Sequence, residues 1–242
     1  MFSYLWHTFC FDPVYNLLVW FIDSIPGGDV GLAIIGTVIV VKALLYPLSL
    51  KAVKTQKLQR ELEPVMKEIK EKYKDNREEL AKATMAAYKD AGMNPFASIL
   101  VLFLQLPFII ALYLAVSKGG GVALPAINTD LLYSFIPNPT VVTMHFIGMF
   151  DISHKSLILA FLAGATQFVA TWFSMPELPK KVASEKESFK DDFARNMHLQ
   201  MKFVMPVMIG FIAYTFSAAI ALYFVVSNLV TITQEFFIRK HR

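Results

Sequence analysis

With a single cysteine, Cys10, among 242 residues, the chain has neither an internal disulfide nor a cysteine-built zinc cluster open to it. The nine residues before Cys10 are too few for a lipoprotein-type leader. Catalytic signatures are missing too. There is no Gly-x-Ser-x-Gly elbow and no His-Glu-x-x-His pair, Gly119-Gly120-Gly121 is not followed by the Gly-Lys-Ser/Thr of a phosphate loop, and the five histidines are scattered. These absences argue against an enzyme, a metal site and a nucleotide or other cofactor. Lys and Arg are missing from the first 29 residues, which carry Asp12, Asp23 and Asp29. Such a tail crosses out of the cytoplasm without a cationic obstacle, and it lacks the basic start of a signal peptide.

What is present is apolar. Hydrophobic residues make up 55% of the chain and aromatics 14%, with a mean hydropathy of +0.49, which suits a polytopic helical membrane protein and leaves no room for a large soluble domain. All 23 Lys and Arg except Lys42, Lys118 and Lys155 fall into three clusters, at 51–89, 180–202 and 239–242. Short basic loops stay in the cytoplasm, so these clusters set the orientation.

The expected order is as follows. Residues 1–29 form an external N-terminal segment, an interfacial amphipathic helix ended by Pro26-Gly27-Gly28, with an ordinary first transmembrane helix as the alternative. Residues 30–50 form the first span. Residues 51–95 carry Leu58, Leu62, Met66, Ile69 and Tyr73 at helical spacing, a break at Asp75-Asn76 and a second stripe, and so predict a cytoplasmic helical hairpin. The second span, 96–116, is followed by an external loop, 117–155, a third span, 156–175, and a basic cytoplasmic loop, 176–200. From Phe203 to Gln234 there is no charge. That is ~48 Å of helix, too long for one straight crossing of a ~30 Å core. Basic residues flank both ends, so two short spans, 201–215 and 217–236, are expected before a cytoplasmic tail, 237–242. The fold class is all-α, with five transmembrane helices, the N-terminus outside and the C-terminus inside.

Lys42 is a lone charge in the first span, roughly 13 Å from the basic end that begins at Lys51. A lysine stem snorkels only part of that way, so Lys42 is expected to face a water-filled cavity or a partner inside the protein. A structural charge bound to a carbonyl or a lipid phosphate is the alternative.

Several separated motifs then fall into a familiar order: Gly31 to Leu48 ending in Lys-Ala-Leu-Leu-Tyr-Pro-Leu, the charged hairpin, Asn94-Pro95, Gln105-Leu-Pro-Phe, and Leu222-Tyr-Phe-Val-Val-Ser-Asn with Gln234 beyond. Together they resemble the YidC/Oxa/Alb family of membrane protein insertases, from about Pro13 onward. The resemblance implies a five-helix core around a hydrophilic groove open to the cytoplasm and to lipid, in a bacterial cell membrane. It also implies a positive groove residue in the first core span that draws in the acidic tail of a nascent membrane protein, with no cofactor. Three departures stand out. Lys42 occupies the place of the family's usual arginine, Phe224 replaces an aromatic with a polar handle, and Thr215-Phe-Ser-Ala-Ala replaces a turn built on Pro and Gly. The chain resembles the minimal form, lacking the extra N-terminal span and large outer domain of longer relatives.

The candidate groove residues are Lys42, Gln167, Phe224, Gln105, Ser227 and Asn228. Gln167 and Gln105 serve equally well as interhelical glue, while Ser227, Asn228 and Thr231 give the last span one polar face for groove lining or packing. Met197, Met201, Met205 and Met208 form a stripe read as a flexible mouth or as plain packing. Expected partners are nascent membrane proteins and the lipid bilayer. The hairpin offers a surface to a ribosome, a targeting factor or a Sec translocon, and no sequence-specific nucleic-acid binding is expected. A channel or transporter leaves the charged hairpin unexplained, whereas a chaperone that holds clients without inserting them shares every feature above.

Overall fold

The computed structural model describes residues 2–74, 76–92, 97–117, 120–174 and 199–240. Asn94-Pro95, Met197 and the 176–198 part of the expected cytoplasmic loop lie outside them. The chain divides into two compact units, Met1–Leu44 with Pro107–Arg242, and Leu45–Leu106.

The first unit opens with two short helices, α1 (Phe2–Trp6) and α2 (Asp12–Ser24), joined by a π-helical turn, His7–Phe11. Pro13 does not break the path: it sits in the first turn of α2, directly after the π-helical turn, and the backbone stays helical through Phe11 and Asp12. Phe11, Val14, Tyr15, Leu18, Val19 and Ile22 recur at helical spacing and are buried in the unit's core. The amphipathic tail thus turns its apolar face to protein, leaving Tyr4, Leu5, Phe9 and Trp20 exposed. Gly28, at φ +62, follows the helix; a Cβ there would collide with the Val141 carbonyl.

Helix α3 (Val30–Lys72) begins on an N-cap, with Asp29 Oδ1 accepting the Leu32 N–H at 3.0 Å. The apolar, span-length part of this helix is Val30–Lys51, and the same helix runs on through charged sequence to Lys72. What changes there is side-chain polarity, and the backbone ladder is indifferent to it.

The segment between α5 and α6 is pinned to the unit by buried polar groups. Asn16 Nδ2 donates to Leu131 O at 2.8 Å, its Oδ1 accepts from Tyr133 N at 2.7 Å, and the Tyr15 hydroxyl accepts from Asn128 N at 2.8 Å. The segment also holds a small antiparallel pair, β1 (His145–Phe146) and β2 (Phe150–Asp151), in an otherwise mostly helical chain. Two-residue strands around a tight turn carry no periodic signal to read.

Helix α6 (Leu157–Ser174) packs on α7 (Met205–Thr215) and α8 (Ala218–Lys240). It meets α7 at glycines: a Cβ on Gly164 would lie 3.1 Å from Pro206 O and 3.5 Å from Gly210 Cα. Small residues let membrane helices approach this closely. The first N–H groups of α8, those of Ala218 and Ala219, are satisfied by the carbonyls of His154 and Ile152 at 2.7 and 3.0 Å.

In the second unit, α4 (Arg77–Asp90) is capped by Asn76, whose side chain accepts the N–H groups of Glu78 and Glu79 at 3.2 Å each, and Glu78 pairs with Lys82 one turn on. Helix α5 (Ala97–Val116) runs from this unit into the first.

Among the described residues, three helices are long and apolar enough to cross a membrane, Val30–Lys51, Leu157–Ser174 and Ala218–Phe237. Gln105–Val116 is apolar but shorter. Helix α7 has 11 residues, about 16 Å at ~1.5 Å each, and a π-helical turn, Gln200–Val204, precedes it. The described architecture is therefore that of a mostly helical membrane protein with three full-length spans.

Candidate functional site

The site is built from three helices of the first unit. Lys42 lies on α3, 12 residues after Val30 and 9 before Lys51. At ~1.5 Å per residue that places it about 18 Å from one end of the span and about 13 Å from the other. Its residue is only 9% exposed. The Nζ donates to Thr231 Oγ1 on α8 at 3.1 Å, and the Thr231 hydroxyl in turn donates to the Ser227 carbonyl at 2.9 Å. Among the described residues no carboxylate forms an ion pair with Lys42.

That choice of partner matters chemically. An ammonium has three donors and no acceptor. One N–H is held by a neutral hydroxyl, which fixes the position of the cation without cancelling its charge. Thr37, on the same helix, shows the ordinary alternative: it is buried, and its hydroxyl is spent on the Ala33 carbonyl at 2.8 Å within its own helix.

Asn228, also buried, faces α6, where its Nδ2 donates to Thr166 Oγ1 at 3.2 Å and lies 3.4 Å from Ala163 O. Of the residues expected here, Ser227 and Asn228 are thus buried on the helix that carries the partner of Lys42. Gln167 is half-buried on α6, with its amide donating to Thr171 Oγ1 at 3.2 Å, and no hydrogen bond links it to Lys42. Phe224 is half-buried and packs edge-on against Tyr223, with ring centroids 5.5 Å apart. Gln105 belongs to the second unit, where it is half-buried. Lys42, the Thr231 hydroxyl and the Ser227 carbonyl therefore form one hydrogen-bonded chain, while Asn228 bonds α6 and Gln167 bonds within α6.

The sequence pattern of the family described as 60Kd inner membrane protein matches residues 21–242, almost the whole chain. The chain belongs to the YidC/Oxa/Alb family. It is 31% identical to a "Membrane protein insertase YidC" of Oceanobacillus iheyensis over 98% of this chain and 84% of that protein. It is 30% identical to one of Clostridium tetani over 91% and 87% of the two chains, and 28% identical to "Membrane protein insertase MisCA" of Bacillus subtilis over 98% and 80%. Like those YidC relatives, the chain is a bacterial membrane protein.

Thr166 and Thr171, the hydrogen-bond partners of Asn228 and Gln167, are residues that sequence reasoning passed over. Threonine in an apolar helix ordinarily bonds its own backbone, as Thr166 also does to the Leu162 carbonyl at 2.8 Å. The usable signal was spacing. Thr166 sits one position before Gln167 and three after the small residue Ala163, on the α6 face that meets α8.

Proposed function

We propose that this protein is an insertase that moves integral membrane proteins from the cytoplasm into the bilayer, helping them fold, with Lys42 as the charge that receives a client's acidic polar tail. The observation that carries the proposal is Lys42 itself, 9% exposed in the middle of a span and held by a neutral threonine hydroxyl at 3.1 Å. A cation kept at that depth is expensive unless it faces water or a partner. A client carboxylate in a hydrated groove supplies the partner, and burial of the client's apolar helix in lipid supplies the free energy. The YidC names of the relatives support the same reading.

In this reading the core has five spans, with α5 and α7 as the short ones, around a groove open to the cytoplasm. Ser227, Asn228 and Thr231 line its α8 wall, Gln167 contributes from α6, and Phe224 adds an apolar surface. Gln105 is a further candidate on α5. The N-terminus lies outside and the C-terminus inside, and the charged segment after Lys51 faces the ribosome, a targeting factor or the Sec translocon. No bond of the client is made or broken, so no catalytic group is required.

The test is photo-crosslinking from a probe at Gln167 or Phe224 to a single-span client with an acidic tail during its synthesis, comparing Lys42 with Lys42→Ala. Crosslinks that form with lysine and fall with alanine are expected. Crosslinks absent from both positions would replace insertion by a holding role for the charged segment.

A further inference from the structure

The turn between β1 and β2 goes against ordinary preference. Ile147 has φ +52, a conformation that suits Gly or Asn and that a β-branched residue rarely adopts, and Gly148 follows at φ +69. The side chain is not spent on the interior: Ile147 is 60% exposed and Met149 76%. The backbone beneath them is fixed. Ile147 N–H donates to Asp29 Oδ2 at 2.7 Å, while the other oxygen of Asp29 caps α3, and Val30 N–H donates to Thr143 O at 3.0 Å. Directly after β2, the carbonyls of Ile152 and His154 accept the first N–H groups of α8.

The hairpin is thus bonded to the opening residues of two of the three full-length spans, Val30–Lys51 and Ala218–Phe237. Val30 and Lys51 are about 31 Å apart along the helix at ~1.5 Å per residue, matching a ~30 Å hydrocarbon layer, so the start of α3 lies at its edge. At the start of α6 and the end of α7, Lys155 Nζ lies 5.8 Å from the centroid of the Tyr214 ring, an amphipathic pair of the kind found at membrane interfaces. Exposed apolar side chains held at this level meet lipid. Asp151, the last residue of β2, and His154 bring a carboxylate and a ring nitrogen within 2.9 Å of each other, a polar pair close after the turn.

We infer that the β1–β2 turn is a membrane-surface anchor whose Ile147 and Met149 side chains enter the phospholipid interface at the N-terminal end of α3. Its occupant is lipid, and the inference stands whether or not the protein inserts clients. Because Asp29 bonds both the turn and α3, immersion of the turn sets the depth of α3, and with it that of Lys42.

The experiment uses the full chain in vesicles of phosphatidylethanolamine and phosphatidylglycerol, with Cys10→Ser and a nitroxide on Met149→Cys or, as a control, on Asp130→Cys in the exposed outer segment. Collision of the label with oxygen, which concentrates in lipid, is compared with collision with a water-soluble nickel chelate. The oxygen-to-chelate ratio is expected to be several-fold higher at 149 than at 130. Ile147→Asn, which suits the turn better, is expected to keep the hairpin and lower that ratio. Equal ratios at 149 and 130, or a label at 149 shielded from both reagents as in a protein contact, would overturn the anchor. A ratio unchanged by Ile147→Asn would remove Ile147 from it.

Discussion

Removing the charge of Lys42 tests the proposed mechanism, and the size of the effect follows from where the charge sits. A client carboxylate about 5 Å from Nζ is attracted by about 3.3 kcal/mol at an effective dielectric of ~20, and by about 0.8 kcal/mol in bulk water. At ~1.4 kcal/mol per tenfold, Lys42→Met should therefore slow insertion of an acidic-tailed client by between about 4-fold and about 250-fold. A residue 9% exposed sits closer to the low-dielectric limit of about 250-fold. Lys42→Glu turns attraction into repulsion and should cost more than Lys42→Met, whereas Lys42→Arg keeps the charge and should keep activity. The assay is protease protection of the client tail in vesicles carrying purified protein, run in parallel with a client whose tail acids are replaced by amides. The amide client should be affected little by any of the three substitutions. Equal losses for both clients would mean that Lys42 supports the fold and does not attract the tail, and normal insertion of the acidic client by Lys42→Glu would end the electrostatic account.

Three further outcomes are expected. Gly164→Leu places a side chain where even a Cβ meets Pro206 O at 3.1 Å, so α6 and α7 must part; a loss of about 1–3 kcal/mol should appear as a lowered unfolding temperature in detergent. Asn16→Leu leaves the Leu131 carbonyl and the Tyr133 N–H without their partner, at about 1–3 kcal/mol for each group that stays dry, and limited proteolysis should cut the 120–136 segment faster. Asp151 accepts from the Ser153 hydroxyl, the Ser153 N–H and His154, chiefly the first, which lowers its pKa from 3.8 to about 2. A carboxyl group held below its unfolded value stabilises the loop above pH ~4 and loses that contribution as pH falls towards 2. The amide signals of Ser153 and His154 should shift across that window in NMR and stay still in Asp151→Asn.

The legible parts of this chain were those written in polarity. The apolar run around Lys42 and the charge-free stretch from Phe203 announce membrane helices because a ~30 Å hydrocarbon layer demands length and uniformity, and few soluble elements supply both. Lys42 stood out for the same reason, since a charge in that run needs a physical account. Polarity says little about backbone continuity: the apolar run ends at about residue 50, while the helix that carries it continues to Lys72. It also hides pairings across long separations. That Asn16 would hold Leu131 and Tyr133, or that Asp29 would hold Ile147, depends on contacts more than 100 residues apart, and a single sequence carries no record of them. Gln167 and Gln105 drew attention as amides in apolar helices, while Thr166 and Thr231 drew less because threonine can hide its hydroxyl on its own helix.

Thr231 explains how a cation can be both buried and available. A carboxylate at its place would form a closed ion pair with Lys42, and the site would then present little net charge to an arriving tail. An apolar residue would leave the ammonium without a protein acceptor, favouring either a neutral amine or a side chain drawn towards the headgroups. The hydroxyl does neither. It accepts one N–H at 3.1 Å, donates its own O–H to the Ser227 carbonyl, and, among the described residues, leaves two ammonium donors for water or a client oxygen. Under the proposed function, this is the property a receiving charge needs: a fixed position, an undiminished field, and a partner weak enough to be exchanged for a client carboxylate, whose charge-assisted hydrogen bond is roughly twice as strong as a neutral one.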